Sequence, residues 1–146
     1  MPRLRSDAPP CFSLSLSVRD YELDRFGVVN NAVYQNYLEH TRHAFLESRG
    51  VSLTNLHEQG FSPVVSRTEI EYRAPLKSGD AFDVTLAVET CSRIRFVFFQ
   101  EIIHLADHRV VTRARITGTV VDALGKPKLP EVFKQLRNST LLSETP

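Results

Sequence analysis

Residues 18–39 read VRDYELDRFGVVNNAVYQNYLE, and the change of period within this stretch decides how the chain folds. Leading into it, Phe12, Leu14, Leu16 and Val18 alternate with Ser13, Ser15 and Ser17, the two-residue period of a half-buried strand. From Asp20 to Asn30 the alternation breaks, with Gly27 placed as a turn residue. From Asn31 onward Tyr34, Tyr37, Leu38, Thr41, Ala44 and Phe45 recur at three- and four-residue steps, so they share one helix face. Val33 and Leu46 lie off that face and predict a helix buried on more than one side. Asn30 or Asn31 is suited to cap its start, and Gly50 to end it in a left-handed turn. A shorter helix is expected over 52–58, with Leu53 and Leu56 inward.

Beyond Phe61 the pattern is that of strands. Thr68, Ile70 and Tyr72 alternate with Arg67, Glu69, Glu71 and Arg73, and residues 75–80 (PLKSGD) have turn composition. Phe82, Val84, Leu86 and Val88 form a second alternating run. Residues 94–105 are apolar on both faces, which predicts a central strand, and 110–121 supplies another long strand before the turn at Gly125. One strand, one long buried helix and then a run of antiparallel strands make an α+β domain. About five strands wrap around one central helix. The sheet's edges and far face are left open, so self-association is expected. The domain is assigned to 11–130, with 1–10 as a disordered N-terminal segment and 131–146 as a tail containing a short helix.

The 146 residues suit a single domain, and the 42% hydrophobic and 24% charged fractions are ordinary for a soluble protein. A formal net charge of +1 gives no reason to expect nucleic acid or an anionic membrane as partner. No apolar run approaches the ~20 residues that span a bilayer. Residues 1–10 have no apolar stretch behind their basic residues, so they do not read as a secretory signal, and a cytoplasmic location is expected. Cys11 and Cys91 form no CxxC pair, and His40 and His43 have no metal-ligand pattern around them. Neither a metal nor another cofactor is expected.

The chemistry is expected in the loop and the helix start. A carboxylate facing a helix N-terminus has a known use, because the unpaired N–H groups there can polarise a carbonyl and hold an oxyanion. The carboxylate then acts as nucleophile or as base for water. Asp24-x-x-Gly27-Val28-Val29, followed by Tyr34-x-Asn36-Tyr37-Leu38-Glu39, resembles the 4-hydroxybenzoyl-CoA thioesterase family of hotdog proteins. The string VRDYELDRFGVVNNAVYQNYLEH is similar to plant acyl-ACP thioesterases related to methylketone synthases and to their bacterial relatives. The match continues through FLESRGV (45–51) and APLKSGD (74–80) and so covers most of the domain.

That resemblance implies a hotdog fold and hydrolysis of an acyl thioester carried on coenzyme A or acyl carrier protein, by a homodimer or homotetramer. It places the catalytic carboxylate at Asp24 and the carbonyl-polarising backbone N–H at Asn31, with Gly27 permitting the tight path between them. Taken without it, Asp24 reads as a turn residue beside glycine. Candidate substrate contacts are Asn30, Tyr34, Glu39, Arg93 and Arg95. Each has a plainer reading: helix capping for Asn30, core packing for Tyr34, and solvated strand ends for the two arginines. Glu39 lies near the position where another hotdog branch carries its acid. The His-Gly-Gly that precedes the helix in that branch is replaced here by Val29-Asn30-Asn31. A structural Glu39, paired with Arg42 or His43, is therefore favoured. Two other readings stand beside hydrolysis. One is a non-catalytic hotdog protein that binds an acyl thioester or carrier protein. The other is a hotdog dehydratase or hydratase, disfavoured because no histidine precedes the helix.

Overall fold

In the computed structural model, which describes residues 3–136, the elements follow the expected order. They are β1 (Phe12–Ser17), α1 (Val33–Ser48), α2 (Leu53–Glu58), β2 (Ser62–Tyr72), β3 (Ala81–Thr90), β4 (Phe96–His104), β5 (Val110–Val121) and α3 (Glu131–Lys134). A single 3-10 turn at Asp20–Glu22 interrupts the connection from β1 to α1. The five strands form one antiparallel sheet in the order β1-β3-β4-β5-β2, so β4 is central, as its two apolar faces predict. This is the hotdog arrangement. Among the described residues no helix is long and apolar enough to cross a membrane.

Helix α1 is held on one face of the sheet by aromatic and aliphatic packing. Leu38 and Phe45 are fully buried, and the Phe45 ring meets Phe12 of β1 at 5.7 Å and Phe98 of β4 at 6.1 Å. Tyr37 packs on Phe82 at 4.7 Å between ring centroids. Alternation along β3 and β4 sends Phe82, Val84, Leu86, Phe98 and Ile102 to this core. Ala87, Val97 and Phe99 form a separate small cluster on the opposite face of the sheet. Residues 3–10, expected to be disordered, have no regular secondary structure but lie against that second face. There Arg3 pairs with Glu89 at 3.0 Å and stands over the Phe99 ring at 4.8 Å. Helix α3 begins just after Pro130, and its Phe133 is buried and stacks on Phe96 at 5.2 Å. Residues 1–2 of the expected N-terminal segment and 137–146 of the tail lie outside the described residues.

The helix ends follow the sequence with one shift. Asn30 and Asn31 precede the helix by more than one residue, and Ala32 takes the cap position without a capping side chain. Asn30 serves the helix start from two residues back: its Oδ1 accepts the Ala32 N–H at 2.9 Å and its carbonyl accepts the Val33 N–H at 2.9 Å. At the other end Gly50 has φ +77°, Gly50 N–H donates to the Glu47 carbonyl and Val51 N–H donates to the Leu46 carbonyl. That pair of bonds, with Leu46 and Val51 both buried, is a complete Schellman stop. Ser52 caps α2, its Oγ accepting the Asn55 N–H at 3.1 Å.

Strand β2 lies at the sheet edge and is less buried than its alternation suggests. Ile70 packs on the core, but Val64, Val65 and Tyr72 are 40%, 52% and 48% exposed, and Thr68 is exposed as well.

Two stability predictions follow from the helix. Phe45→Ala empties a fully buried ring site between β1 and β4 and is expected to cost about 3–5 kcal/mol in urea denaturation. Gly50→Ala has open space for its methyl but keeps the left-handed backbone, and is expected to cost about 1 kcal/mol by the same measurement.

Candidate active site

The loop between β1 and α1 is held by backbone hydrogen bonds and by side-chain bonds to its backbone. As the chain leaves β1, Val18 N–H donates to the Asp80 carbonyl at 2.9 Å and Gly79 N–H donates back to the Val18 carbonyl at 3.1 Å. The chain then forms a tight hairpin in which Leu23 bridges Val29 and Asp24 N–H donates to the Val28 carbonyl at 2.8 Å. Gly27 sits at its tip with φ +81° and nothing near its Cβ position. Glycine is therefore required here by the backbone conformation and not by crowding. A bridge from Val28 to Lys77, and the Val29 N–H bond to the Leu76 carbonyl, dock the hairpin on the turn before β3.

Asp24 is half-buried in this hairpin. Its Oδ1 accepts the Phe26 N–H at 2.8 Å and, at longer range, the Val28 N–H at 3.5 Å. Its Oδ2 has no hydrogen-bond or ion-pair partner among the described residues. Asn30 N–H donates to the Glu22 carbonyl, and the Ala32 and Val33 N–H groups go to Asn30. Between them, the Asn31 N–H has no acceptor among the described residues, while the Asn31 carbonyl accepts the Tyr72 hydroxyl at 2.9 Å. The N-terminal end of α1 thus presents the unpaired Asn31 donor, and the Tyr34 N–H of the first turn also has no acceptor among the described residues, at the positive end of the helix dipole.

The other candidates are distributed unevenly. Tyr34 is 4% exposed, its hydroxyl accepts the Leu76 N–H at 3.2 Å, and its ring meets Tyr37 and Tyr72. Burial raises the Tyr34 phenol above its ordinary pKa, and the nearby Asp24 charge adds to the rise. Tyr34 is therefore a buried packing residue of the helix start whose hydroxyl is already engaged by Leu76. Glu39 lies two turns along α1 and is exposed. It borders a cavity of about 320 Å³ shared by Leu46, Leu53, Phe96, Phe98 and Phe133.

The expected pairing of Glu39 with Arg42 or His43 is corrected: no such ion pair forms. Arg42 turns inward and donates to the Gln100 Oε1 at 3.1 Å, and Gln100 in turn donates to the Leu38 carbonyl at 3.0 Å. Burial lowers the Arg42 pKa, against the field of Glu39. Arg93 and Arg95 are exposed in the β3–β4 hairpin. That hairpin continues the Thr90–Phe96 end of the sheet, whereas the Asp24 loop docks by the Phe82–His104 end. One protomer therefore does not bring these arginines to Asp24. Among the described residues no group of histidine, cysteine or acidic side chains is placed to hold a metal ion.

Two site residues carry no sequence signal of their role. Glu22 receives the Tyr37 hydroxyl at 2.8 Å and the Arg19 N–H at 2.8 Å on the same carboxylate oxygen. Tyr72, which reads as a strand residue, reaches the loop through its hydroxyl. Helical spacing marks Tyr37 as buried but does not reveal what its hydroxyl meets.

Comparison with known proteins identifies the family and the fold. The chloroplastic acyl-acyl carrier protein thioesterase ATL2 of Arabidopsis thaliana is 39% identical over 114 residues, which are 78% of this chain. The chain spans 61% of the length of that relative. The crystal structure of a 1,4-dihydroxy-2-naphthoyl-CoA thioesterase from Synechocystis superposes with a TM-score of 0.83 at 23% identity, over 87% of this chain and 95% of that one. The probable thioesterase YbaW from Escherichia coli gives a TM-score of 0.74 at 26% identity, over 92% and 98% of the two chains. Residues 18–136, which include the Asp24 loop and all of α1, match the thioesterase-like superfamily, and the chain belongs to that family.

Proposed function

We propose that the protein is an acyl thioesterase that hydrolyses an acyl-ACP or acyl-CoA to the free acid and the thiol. The observation that carries this reading is the unpaired Asn31 N–H at the start of α1, in the same loop unit as a carboxylate with one free oxygen. In this mechanism the thioester carbonyl oxygen accepts the Asn31 N–H, which stabilises the negative charge that develops when the carbon is attacked. Asp24 Oδ2 either removes a proton from the attacking water or attacks the carbon itself, forming an acyl-aspartyl anhydride that water then cleaves. On both routes the C–S bond breaks, the sulfur leaves as thiolate and takes a proton, and the carboxyl of Asp24 is regenerated. Gly27 holds the hairpin that carries Asp24, and Asn30 holds the helix start that presents Asn31. The acyl-acyl carrier protein thioesterase activity of the Arabidopsis relative supports acyl carrier protein as the thioester carrier. The acyl group is taken as fatty, 3-ketoacyl or polyketide, and the location as cytoplasmic.

The same reading includes a homodimer, and dimers assembling into a homotetramer. The exposed β2 edge, with Val64 and Val65 uncovered, is the surface that supports it. Two β2 edges paired antiparallel about a twofold axis would set the Tyr72 end of one beside the Ser62 end of the other. Ser62 pairs with Val121, at the end of the sheet from which the β3–β4 hairpin projects. Arg93 and Arg95 would then approach the site of the neighbouring protomer, where phosphates of the carrier need cations.

The decisive measurement is thiol release from a panel of acyl-CoA and acyl-ACP substrates: medium and long saturated chains, 3-ketoacyl chains and an aryl acyl group. Asp24→Asn is expected to lower kcat by at least roughly 100-fold. Turnover near the wild-type rate in that variant would remove Asp24 from the mechanism. Binding of these thioesters without any thiol release by the wild-type protein would instead identify a carrier-binding protein. For the assembly, Val65→Lys places a charge on the β2 edge and is expected to shift the protein toward monomer in sedimentation velocity.

A further inference from the structure

We propose that Glu22 and Tyr37 form a positioning pair that sets the orientation of the Asn31 N–H and of the Asp24 hairpin together. The proposal rests on the thioesterase reading above.

Tyr37 sits one turn beyond Tyr34 on the buried face of α1 and is 5% exposed, with its ring fixed against Phe82 and Tyr34. Its hydroxyl donates to Glu22 Oε1, which also accepts the Arg19 N–H at the start of the 3-10 turn. The other end of the same residue, the Glu22 carbonyl, accepts the Asn30 N–H at 3.0 Å. One residue therefore ties three points together: the segment just after β1, the interior of α1, and the residue immediately before Asn31.

This arrangement decides which N–H is left over. With Asn30 N–H held by Glu22, and Ala32 and Val33 N–H held by Asn30, the Asn31 N–H is the one left free among residues 30–33. Glu22 also directly precedes Leu23, whose bridge to Val29 opens the hairpin of Asp24. A shift of the 3-10 turn moves the carboxylate and the oxyanion donor relative to each other. Misplacement of about 1 Å between reacting groups can lower a rate by roughly 100-fold. Burial, with the Glu22 hydrogen bond and charge adding to it, raises the Tyr37 pKa well above the ordinary phenol value, so the hydroxyl stays a donor at every working pH. Neither side chain needs to touch substrate; both act through Asp24 and Asn31.

The test uses the full chain and the acyl thioester it hydrolyses fastest in the thiol-release panel, with amide hydrogen exchange as a second readout. Tyr37→Phe and Glu22→Ala are each expected to lower kcat by roughly 10- to 100-fold. KM is expected to stay within about threefold, and the double variant to be no worse than the poorer single one. Glu22→Gln keeps an acceptor oxygen for Tyr37 and Arg19 and is expected to recover most of the rate. In Tyr37→Phe the Asn30 amide is expected to lose exchange protection while the Phe45 amide keeps its own. Unchanged Asn30 protection, a kcat within threefold of wild type, or additive losses in the double variant would each overturn the proposal. The two readings fail differently. An inert Asp24→Asn beside an intact Tyr37→Phe leaves thioesterase chemistry standing without the pair, whereas an active Asp24→Asn removes the catalytic assignment itself.

Discussion

The burial of α1 against the sheet is the constraint from which the site descends. Leu38 and Phe45 are fully buried, and Phe45 touches the rings of both Phe12 on β1 and Phe98 on the central strand. A helix locked at that depth cannot rotate or slide without breaking several aromatic contacts at once, because close-packed interiors resist small displacements. Its N-terminal end is therefore delivered to a fixed place, beside the turn before β3, where Leu76 N–H meets the Tyr34 hydroxyl and Leu76 carbonyl meets Val29 N–H. The loop from β1 then has to span from one fixed end to the other while satisfying its own polar groups.

That requirement explains the density of hydrogen bonds around residues 18–33. Backbone groups that leave water must find partners, and here the partners are found within the loop, in the turn before β3 and at the helix start. The unpaired Asn31 N–H stands out against this background because its neighbours on both sides are engaged. Tyr72 adds a restraint from the far strand by donating to the Asn31 carbonyl. The donor is thus held in a rigid frame, the condition under which a single hydrogen bond stabilises a developing charge without reorganisation.

Much of the fold was legible because period alone carries it. The expected strand over 110–121 coincides with β5, and the run with two apolar faces became the central β4, flanked by β3 and β5. Gly50 ends α1 as its position suggested. Asp24, Gly27 and Asn31 could be singled out through resemblance, since in isolation Asp24 beside a glycine reads as a turn residue. What stayed hidden depends on distance in sequence. Nothing local marks Tyr37 as the partner of Glu22, or Arg42 as the partner of Gln100 in place of Glu39, because those contacts exist only once α1 has docked. The separation of Arg93 and Arg95 from Asp24 follows from strand order, which periodicity does not encode.

The two readings of Asp24, turn former and chemical group, are compatible in the folded chain and use different oxygens. Oδ1 accepts the Phe26 N–H two residues on, the bond expected of an aspartate that stabilises a turn. Oδ2 is left without a partner among the described residues and is the atom available for chemistry. The turn bond fixes the carboxylate plane, so the free oxygen is held in one direction instead of sampling several. A carboxylate that served only the turn would be replaceable by any short acceptor, asparagine included, with little effect on the hairpin. The same replacement leaves the turn bond to an amide oxygen but puts a neutral amide where the free oxygen stood. If Asp24 has the proposed role, structure and chemistry there can thus be separated by one substitution, with hairpin geometry reporting on Oδ1 and turnover reporting on Oδ2.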